Sequence, residues 1–350
     1  MIRVLFHFFL KGKKFTATSS LKAFFIFFIL VWYGVAGFLY FELPLKPDLK
    51  WHDALWWTLV TMTTVGYGDF FPVSAAGRYL IGIPIMIFGI GLLGFILSET
   101  ATRFIENKSR RLKGMANIVF KNHLVIVNYT TLEKTLDLVR EISGDDKTKD
   151  IKIVIIDEEL SELPVQLQEM DISFVKGDPS KADVLERANI QDASYAIILA
   201  QNASDSHSDN LTLAVTLMIE DINSKVITIA ECVDPERKDH LKAAGCDSII
   251  CLSAFSVSLI TQELQDSGVQ EVITEITSNA FGNQIYLVPV QKMQNWSYQE
   301  LREWSVNNKM TLLGIQRENK NYLNAESSFT LKESDQAILL GETRPLAINI

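Results

Sequence analysis

The stretch TMTTVGYGDF, Thr61 to Phe70, has the residue types and spacing to do chemistry with an ion. Gly66 and Gly68 permit backbone angles closed to other residues. The carbonyls of Thr64, Val65, Gly66 and Tyr67 can therefore turn the same way, with the Thr64 hydroxyl below them. Four such strands around an axis make stacked rings of oxygen that replace the water shell of a potassium ion. One strand cannot surround an ion, so this chemistry requires a homotetramer.

Such a strand needs elements that hold it at membrane depth. LKAFFIFFILVWYGVAGFLYF, residues 21–41, is apolar apart from Lys22 and long enough to cross a hydrocarbon core of about 30 Å. YLIGIPIMIFGIGLLGFIL, which starts at Tyr79, predicts a second span within 79–104. Between them WHDALWWTLVTMT, residues 51–63, is too short and too polar to span, and is expected as a re-entrant pore helix. Irregular backbone at that depth survives only where protein buries it or a wet cavity meets it. Lys11, Lys13, Lys14 and Lys22 precede the first span, and Arg103, Lys108, Arg110, Arg111 and Lys113 follow the second. By the positive-inside rule both termini are cytoplasmic in a cell (inner) membrane. Residues 1–18 are expected to lie at the inner interface as an amphipathic segment, without signal cleavage.

The segment TVGYGD is the filter signature of two-span potassium channels, and residues 19–104 resemble their pore domain. The resemblance implies that residues 64–68 (Thr64, Val65, Gly66, Tyr67, Gly68) form the selectivity filter. It implies an aromatic cuff of Trp56, Trp57 and Tyr67, and an Asp69 bonded behind the filter to Trp56. Val60 stands where some relatives carry a glutamate partner for that aspartate, which leaves inactivation behaviour open. Gly89, in FGIGLLG, matches the gating hinge of the inner helix; close packing through small residues is the alternative for the same glycines. No arginine ladder precedes the first span, so gating must come from elsewhere.

Charge divides the chain. Met1 to Gly114 carries 13 Lys and Arg against 6 Asp and Glu, whereas the remainder carries 20 against 36. The acidic remainder excludes a nucleic-acid partner, which would need a basic face. Its three cysteines, Cys232, Cys246 and Cys251, match no zinc spacing and are expected as reduced thiols. After a polar linker at 105–121, short β-branched runs (HLVIVN, IKIVIID, ISFVKG, YAIILA, VITIAEC, SIICL) alternate with amphipathic stretches. Strands buried on both faces and separated by helices predict a parallel, Rossmann-like α/β sheet over 122–252.

FVKGDPSKADVLERANI and ITIAECVDPERKDHLKAAGCDSII resemble the RCK, or TrkA-N, ligand-sensing domain of prokaryotic potassium channels, of the calcium-gated type. Residues 253–280 match its crossover helices, through which two domains clasp, and 281–345 match the small α+β TrkA-C lobe. The expected architecture is an α-helical two-span pore followed by these cytoplasmic lobes. Family rings commonly contain eight sensor domains, so additional soluble copies, started at Met115, are one expectation.

The ligand is open at this stage. A dinucleotide site needs G-x-G-x-x-G after its first strand. Asn128, Thr130 and Glu133 occupy those places here, which leaves Asp157 as half of a nucleotide site. Matching to calcium-gated relatives puts Asp209 and Glu231 on two positions for a Ca2+ ligand, with Val233 in a third, and the alternative for Asp209 is a helix cap. The expected function is a K+ channel gated by Ca2+ or, alternatively, by a nucleotide. A membrane-anchored oxidoreductase is the reading from another class, weakened by the missing glycines, so no enzyme activity is expected.

Overall fold

In a computed structural model, residues 17–279, 281–290, 293 and 295–345 are described. The interfacial segment expected at 1–18 lies almost wholly outside them. The chain divides into two compact units, Met1–Lys108 and Ser109–Ile350.

In the first unit, α1 (Ala17–Glu42) is followed by the short helix α2 (Trp51–Met62), a π-helical turn (Gly77–Gly82) and α3 (Ile83–Leu112). Lys22–Glu42 and Gly77–Leu112 are long and apolar enough to cross a membrane. Asp53 sits in the first turn of α2 and accepts from Lys50 N at 2.9 Å, which satisfies a donor at the helix start. Small residues let the helices approach. A Cβ on Gly34 would strike Thr58, and one on Gly37 would strike Ile81. Phe38, Trp57, Ile81, Ile85 and Leu92 fill the space between. The stretch expected as a linker at 105–121 is helical as far as Leu112, where α3 ends. Arg103 pairs with Glu99 one turn earlier, and Arg110 and Arg111 fall in the last turn, where cations suit a helix end.

The second unit holds the predicted parallel sheet. Its strands are β1 (Leu124–Val127), β2 (Ile153–Asp157), β3 (Ser173–Lys176), β4 (Tyr195–Ile198), β5 (Ile227–Cys232) and β6 (Ser248–Cys251), in the order β3-β2-β1-β4-β5-β6. Helices cover both faces: α4 (Leu132–Gly144), α5 (Val165–Glu169), α6 (Ala182–Arg187), α7 (Ser208–Ile222) and α8 (Lys238–Ala243). This is why β1 and β2 are buried at every residue rather than at alternate ones. The chain order reverses between β1 and β4, which opens a crevice at the carboxyl ends of the strands.

Helices α9 (Leu252–Gln265) and α10 (Val269–Thr277) follow without a single buried residue. The last lobe is an antiparallel sheet, β7 (Gln284–Pro289), β8 (Thr311–Arg317), β9 (Lys320–Leu323) and β10 (Gln336–Gly341), ordered β7-β10-β8-β9, with α11 (Tyr298–Asn307). Its buried ion pair, Arg317 to Asp335 at 2.7 Å, ties β8 to the turn before β10. Burial alone would raise the Asp335 carboxyl, but the Arg317 and Lys332 N–H bonds hold it below the usual range.

Candidate functional site

The filter segment leaves the end of α2 in an unusual backbone. Thr64, Gly66 and Gly68 have φ of 63°, 57° and 76°, so every second residue is left-handed. Alternating hand turns successive carbonyls to a common side, which a uniform strand cannot do. Thr64 adopts this geometry at a steric cost; the glycines adopt it freely. The segment is anchored from behind. Val65 N and Gly66 N donate to Val60 O at 3.0 and 3.3 Å, and Thr63 Oγ1 donates to Leu59 O at 2.8 Å. The last turn of α2 thus spends part of its negative end on the strand it supports.

Trp56 stacks on Tyr67 with ring centroids 5.7 Å apart and planes within 2°, and its Nε1 donates to Asp69 Oδ2 at 2.8 Å. Trp57 departs from the expected cuff. It is buried against Phe38 of α1, centroids 4.3 Å apart, because one residue along a helix turns the ring by roughly 100°. The residues from Thr63 to Asp69 are exposed in the single chain, and nothing lies within 4 Å of where a Cβ on Gly66 or Gly68 would be.

Gly89 is buried, and a Cβ there would sit 2.9 Å from the Met62 Cα. The close-packing alternative therefore describes its contacts, and α3 runs through it unbroken. A Cβ at Gly94 would meet nothing within 4 Å.

The sequence reading missed Glu42. At the end of α1 it is fully buried and accepts from Val73 N at 2.8 Å, Ser74 N at 3.1 Å and Ser74 Oγ at 2.6 Å. It fastens the loop that follows the filter. The signal was an acid closing an apolar run, but its partners lie 31 and 32 residues away.

In the crevice of the second unit the candidate ligand residues are already occupied. Asp157 accepts from Tyr129 N at 2.9 Å, Glu159 N at 2.9 Å and Leu160 N at 2.6 Å, so its carboxylate holds two turns rather than standing ready for a ribose. Asn128, in the first glycine position, takes φ of 70° as glycine would, but its Nδ2 donates to Leu199 O at 2.7 Å and fills the space between β1 and β4. Thr130 Oγ1, in the second, is buried without a hydrogen-bond partner.

Asp209 does not cap α7, which begins one residue earlier at Ser208. Its buried carboxylate reaches instead to the end of β5 and accepts from Val233 N and Asp234 N, each at 2.9 Å. Glu231 is 9% exposed and takes Lys134 Nζ at 2.7 and 2.9 Å and Ala200 N at 2.9 Å. The two carboxylates share no hydrogen-bond partner. Among the described residues no three His, Cys, Asp or Glu side chains are grouped to hold a metal. Lys134 bridges the reversal point, from the first turn of α4 to β5.

Comparison with known proteins fits both units. Residues 15–106 match the ion-channel family, and residues 132–252 match the TrkA-N domain. The calcium-gated potassium channel TvoK of Thermoplasma volcanium is 28% identical over 286 residues, 79% of this chain and 78% of that one. The putative potassium channel protein YugO of Bacillus subtilis is 23% identical over 297 residues, 82% and 86% of the two. Among solved structures, the human SLO3 gating ring superposes with a TM-score of 0.51 at 18% identity, which speaks for the fold alone. It covers 64% of this chain, which spans 44% of its length. The chain is an ion-channel domain followed by a TrkA-N domain, homologous along both to potassium channel proteins.

Proposed function

We propose that four copies of this chain form a potassium-selective channel, opened and closed by ligand binding to its TrkA-N domains. The observation that carries this reading is the alternation of hand at Thr64, Gly66 and Gly68, in a segment left exposed by its own chain. Each copy supplies a quarter of every oxygen ring from the carbonyls of Thr64, Val65, Gly66 and Tyr67. Trp56, Tyr67 and Asp69 keep the rings from narrowing, and Trp57 holds α2 on α1. With both termini inside the cell, the second unit is cytoplasmic. TvoK is a calcium-gated potassium channel by name, and YugO is named as a putative potassium channel protein.

The second copy also has a place to dock on the sensor side. Phe255, Val257, Ile260 and Leu264 are exposed on α9, and Val272 on α10. Each such side chain is worth about 1.5–3 kcal/mol when buried, so pairing through α9 and α10 is the assembly step. The ring is then built from four domains, or from eight if Met115 starts a soluble copy.

A ligand moves the gate only if it binds the open ring better than the closed one. The calcium-gated relative makes Ca2+ the first ligand to try, with Asp209 and Glu231 as its carboxylates. Seating Ca2+ there requires Lys134 to leave Glu231 and two amides to leave Asp209. A nucleotide is the second candidate, since a Lys134 freed from Glu231 could meet phosphate at the start of α4. For the bend in the inner helix, Gly89 is the position the family resemblance gives, and Gly94 the one with open space.

Purified protein in liposomes tests the reading. Potassium efflux that exceeds sodium efflux, and that Gly66→Ala reduces to background, is the expected result. Equal passage of the two ions would overturn it. Adding Ca2+, NAD+ or ATP to the same vesicles separates the ligands, and a Ca2+ response that survives Asp209→Asn with Glu231→Gln would remove those two carboxylates from consideration.

A further inference from the structure

Two of the three cysteines are neighbours across the sheet. Cys232 ends β5, Cys251 ends β6, and the parallel register pairs them directly. Residues in register on adjacent parallel strands point to the same face, with Cα atoms about 4.8 Å apart. That lies inside the range of roughly 4.4–6.8 Å that a disulfide accepts. Cys232 Sγ donates to Asp234 O at 3.1 Å, and Cys251 Sγ lies 3.4 Å from Ser253 Oγ. Both cysteines pack on the hydrophobic core of that face.

We propose that Cys232 and Cys251 are a reversible dithiol–disulfide pair that an oxidant of the hydroperoxide class closes. Cys251 is half-buried, whereas Cys232 is buried, so Cys251 meets the oxidant first. Its sulfur attacks the peroxide O–O bond and becomes a sulfenic acid, releasing one water. The Cys232 sulfur then displaces hydroxide from that sulfur, its proton leaves with the hydroxide as a second water, and the S–S bond forms. Two thiols have lost two protons and two electrons, and one hydroperoxide has been reduced (the product is an alcohol and water when the peroxide is organic).

A cavity of about 230 Å³ opens on Cys232, beside Ala200, Glu231, Val233, Leu252 and Ser253, whereas Cys251 is reached from its own partly exposed side. The bridge would sit where it has mechanical reach. Cys251 is the residue immediately before α9, and Cys232 immediately precedes the amides of Val233 and Asp234 that hold Asp209. Cys246 is the internal control. It is buried, Sγ donates to Ser248 O at 3.2 Å, and burial raises its thiol also.

The inference rests on the second unit's sheet and not on the channel reading, so either can fail alone. The test treats the full chain in detergent with hydrogen peroxide, blocks remaining thiols with an alkylating agent under denaturation, and maps peptides by mass spectrometry. The expected product is a linked peptide pair containing Cys232 and Cys251, with equal loss of both thiols from alkylation and full recovery with dithiothreitol. Cys251→Ser abolishes the linked pair, and Cys246→Ser leaves it. Should Cys251 oxidise to sulfinic acid while Cys232 stays fully alkylatable, or should the linkage involve Cys246 or a second chain, the proposal is overturned. The wild-type map decides this even if a variant fails to fold.

Discussion

The filter segment and the crevice of the TrkA-N domain are both built around main-chain polar groups, but they are left in opposite states. Around the filter, Val65 to Gly68 are exposed, and a Cβ on Gly66 or Gly68 would meet nothing within 4 Å. In the crevice, Asp157, Asp209 and Glu231 are each buried and bonded to two or more donors. On the proposed function, the first site is incomplete without other copies. The second is complete without a ligand, and a ligand must displace something to enter. Substitutions in the first should therefore remove function and spare the fold of a chain, while substitutions in the second should unsettle the fold before they report on ligand.

The largest effect that would break this contrast is in the crevice. Lys134→Met strands the Glu231 carboxylate with only Ala200 N as partner. Breaking one side of a buried pair costs about 3–5 kcal/mol; here Lys134 is 38% exposed, so the lower end or somewhat less is expected. Chemical denaturation of the second unit measures it, with Lys134→Met/Glu231→Leu recovering most of the loss. Gly66→Ala, by contrast, should leave that transition unmoved while conduction disappears. A Lys134→Met protein as stable as wild type would show that the crevice is not held closed in this way.

Next in size is the pair of glycines on α3. Gly89→Ala drives a Cβ into the Met62 backbone, which cannot yield, and overpacking of that sort costs about 1–3 kcal/mol. Gly94→Ala meets no obstacle and gains about 1 kcal/mol of helix propensity. The two should move the melting of the pore unit in opposite directions, and the one that lowers open probability without harming the filter marks the bend. If both destabilise equally, the packing argument at Gly89 is wrong. Smaller again is Trp56→Phe, which keeps the stack on Tyr67 and deletes one bond to Asp69. Such a bond is worth about 1 kcal/mol, so potassium-over-sodium selectivity should fall roughly fivefold, read from reversal potentials.

What the sequence disclosed and what it hid follow the same contrast. The sheet was readable because short β-branched runs alternate with helical stretches, and its central runs in β1 and β2 are apolar on both faces, which a parallel sheet with helices on each side supplies. The filter string was readable because its glycines and threonines act through local backbone geometry. Long-range partnerships were not. Asp209 and its amides are 24 and 25 residues apart, and Lys134 and Glu231 are 97 apart. No spacing rule joins them, so the amides that Asp209 already holds could not be read from the sequence. Trp57 was misplaced for a different reason: aromatic type is visible in a sequence, but which of two adjacent rings faces the filter depends on helix phase.

The smallest effect is a pH dependence confined to one side of the comparison. His123, at the start of β1, is fully buried, and its Nε2 lies 2.9 Å from Ala188 O while Nδ1 has no partner. Burial lowers its pKa below the ordinary 6.5, and the contacts with Ala188 O and Asp192, which act the other way, do not offset that. The unfolded chain therefore binds this proton at a higher pH than the folded one does. Its contribution is fully present above about pH 6.5 and is lost as the pH falls toward the folded value, by at most about 1.4 kcal/mol per pH unit. Glu220, raised by burial and by Asp247, opposes it, because its proton favours the folded state as the pH falls. Melting of the full chain between pH 7.5 and 5.5 should therefore lower the transition of the second unit and leave that of the pore unit in place. His123→Gln should flatten the slope, and an unchanged slope in that variant would assign the titration to another group.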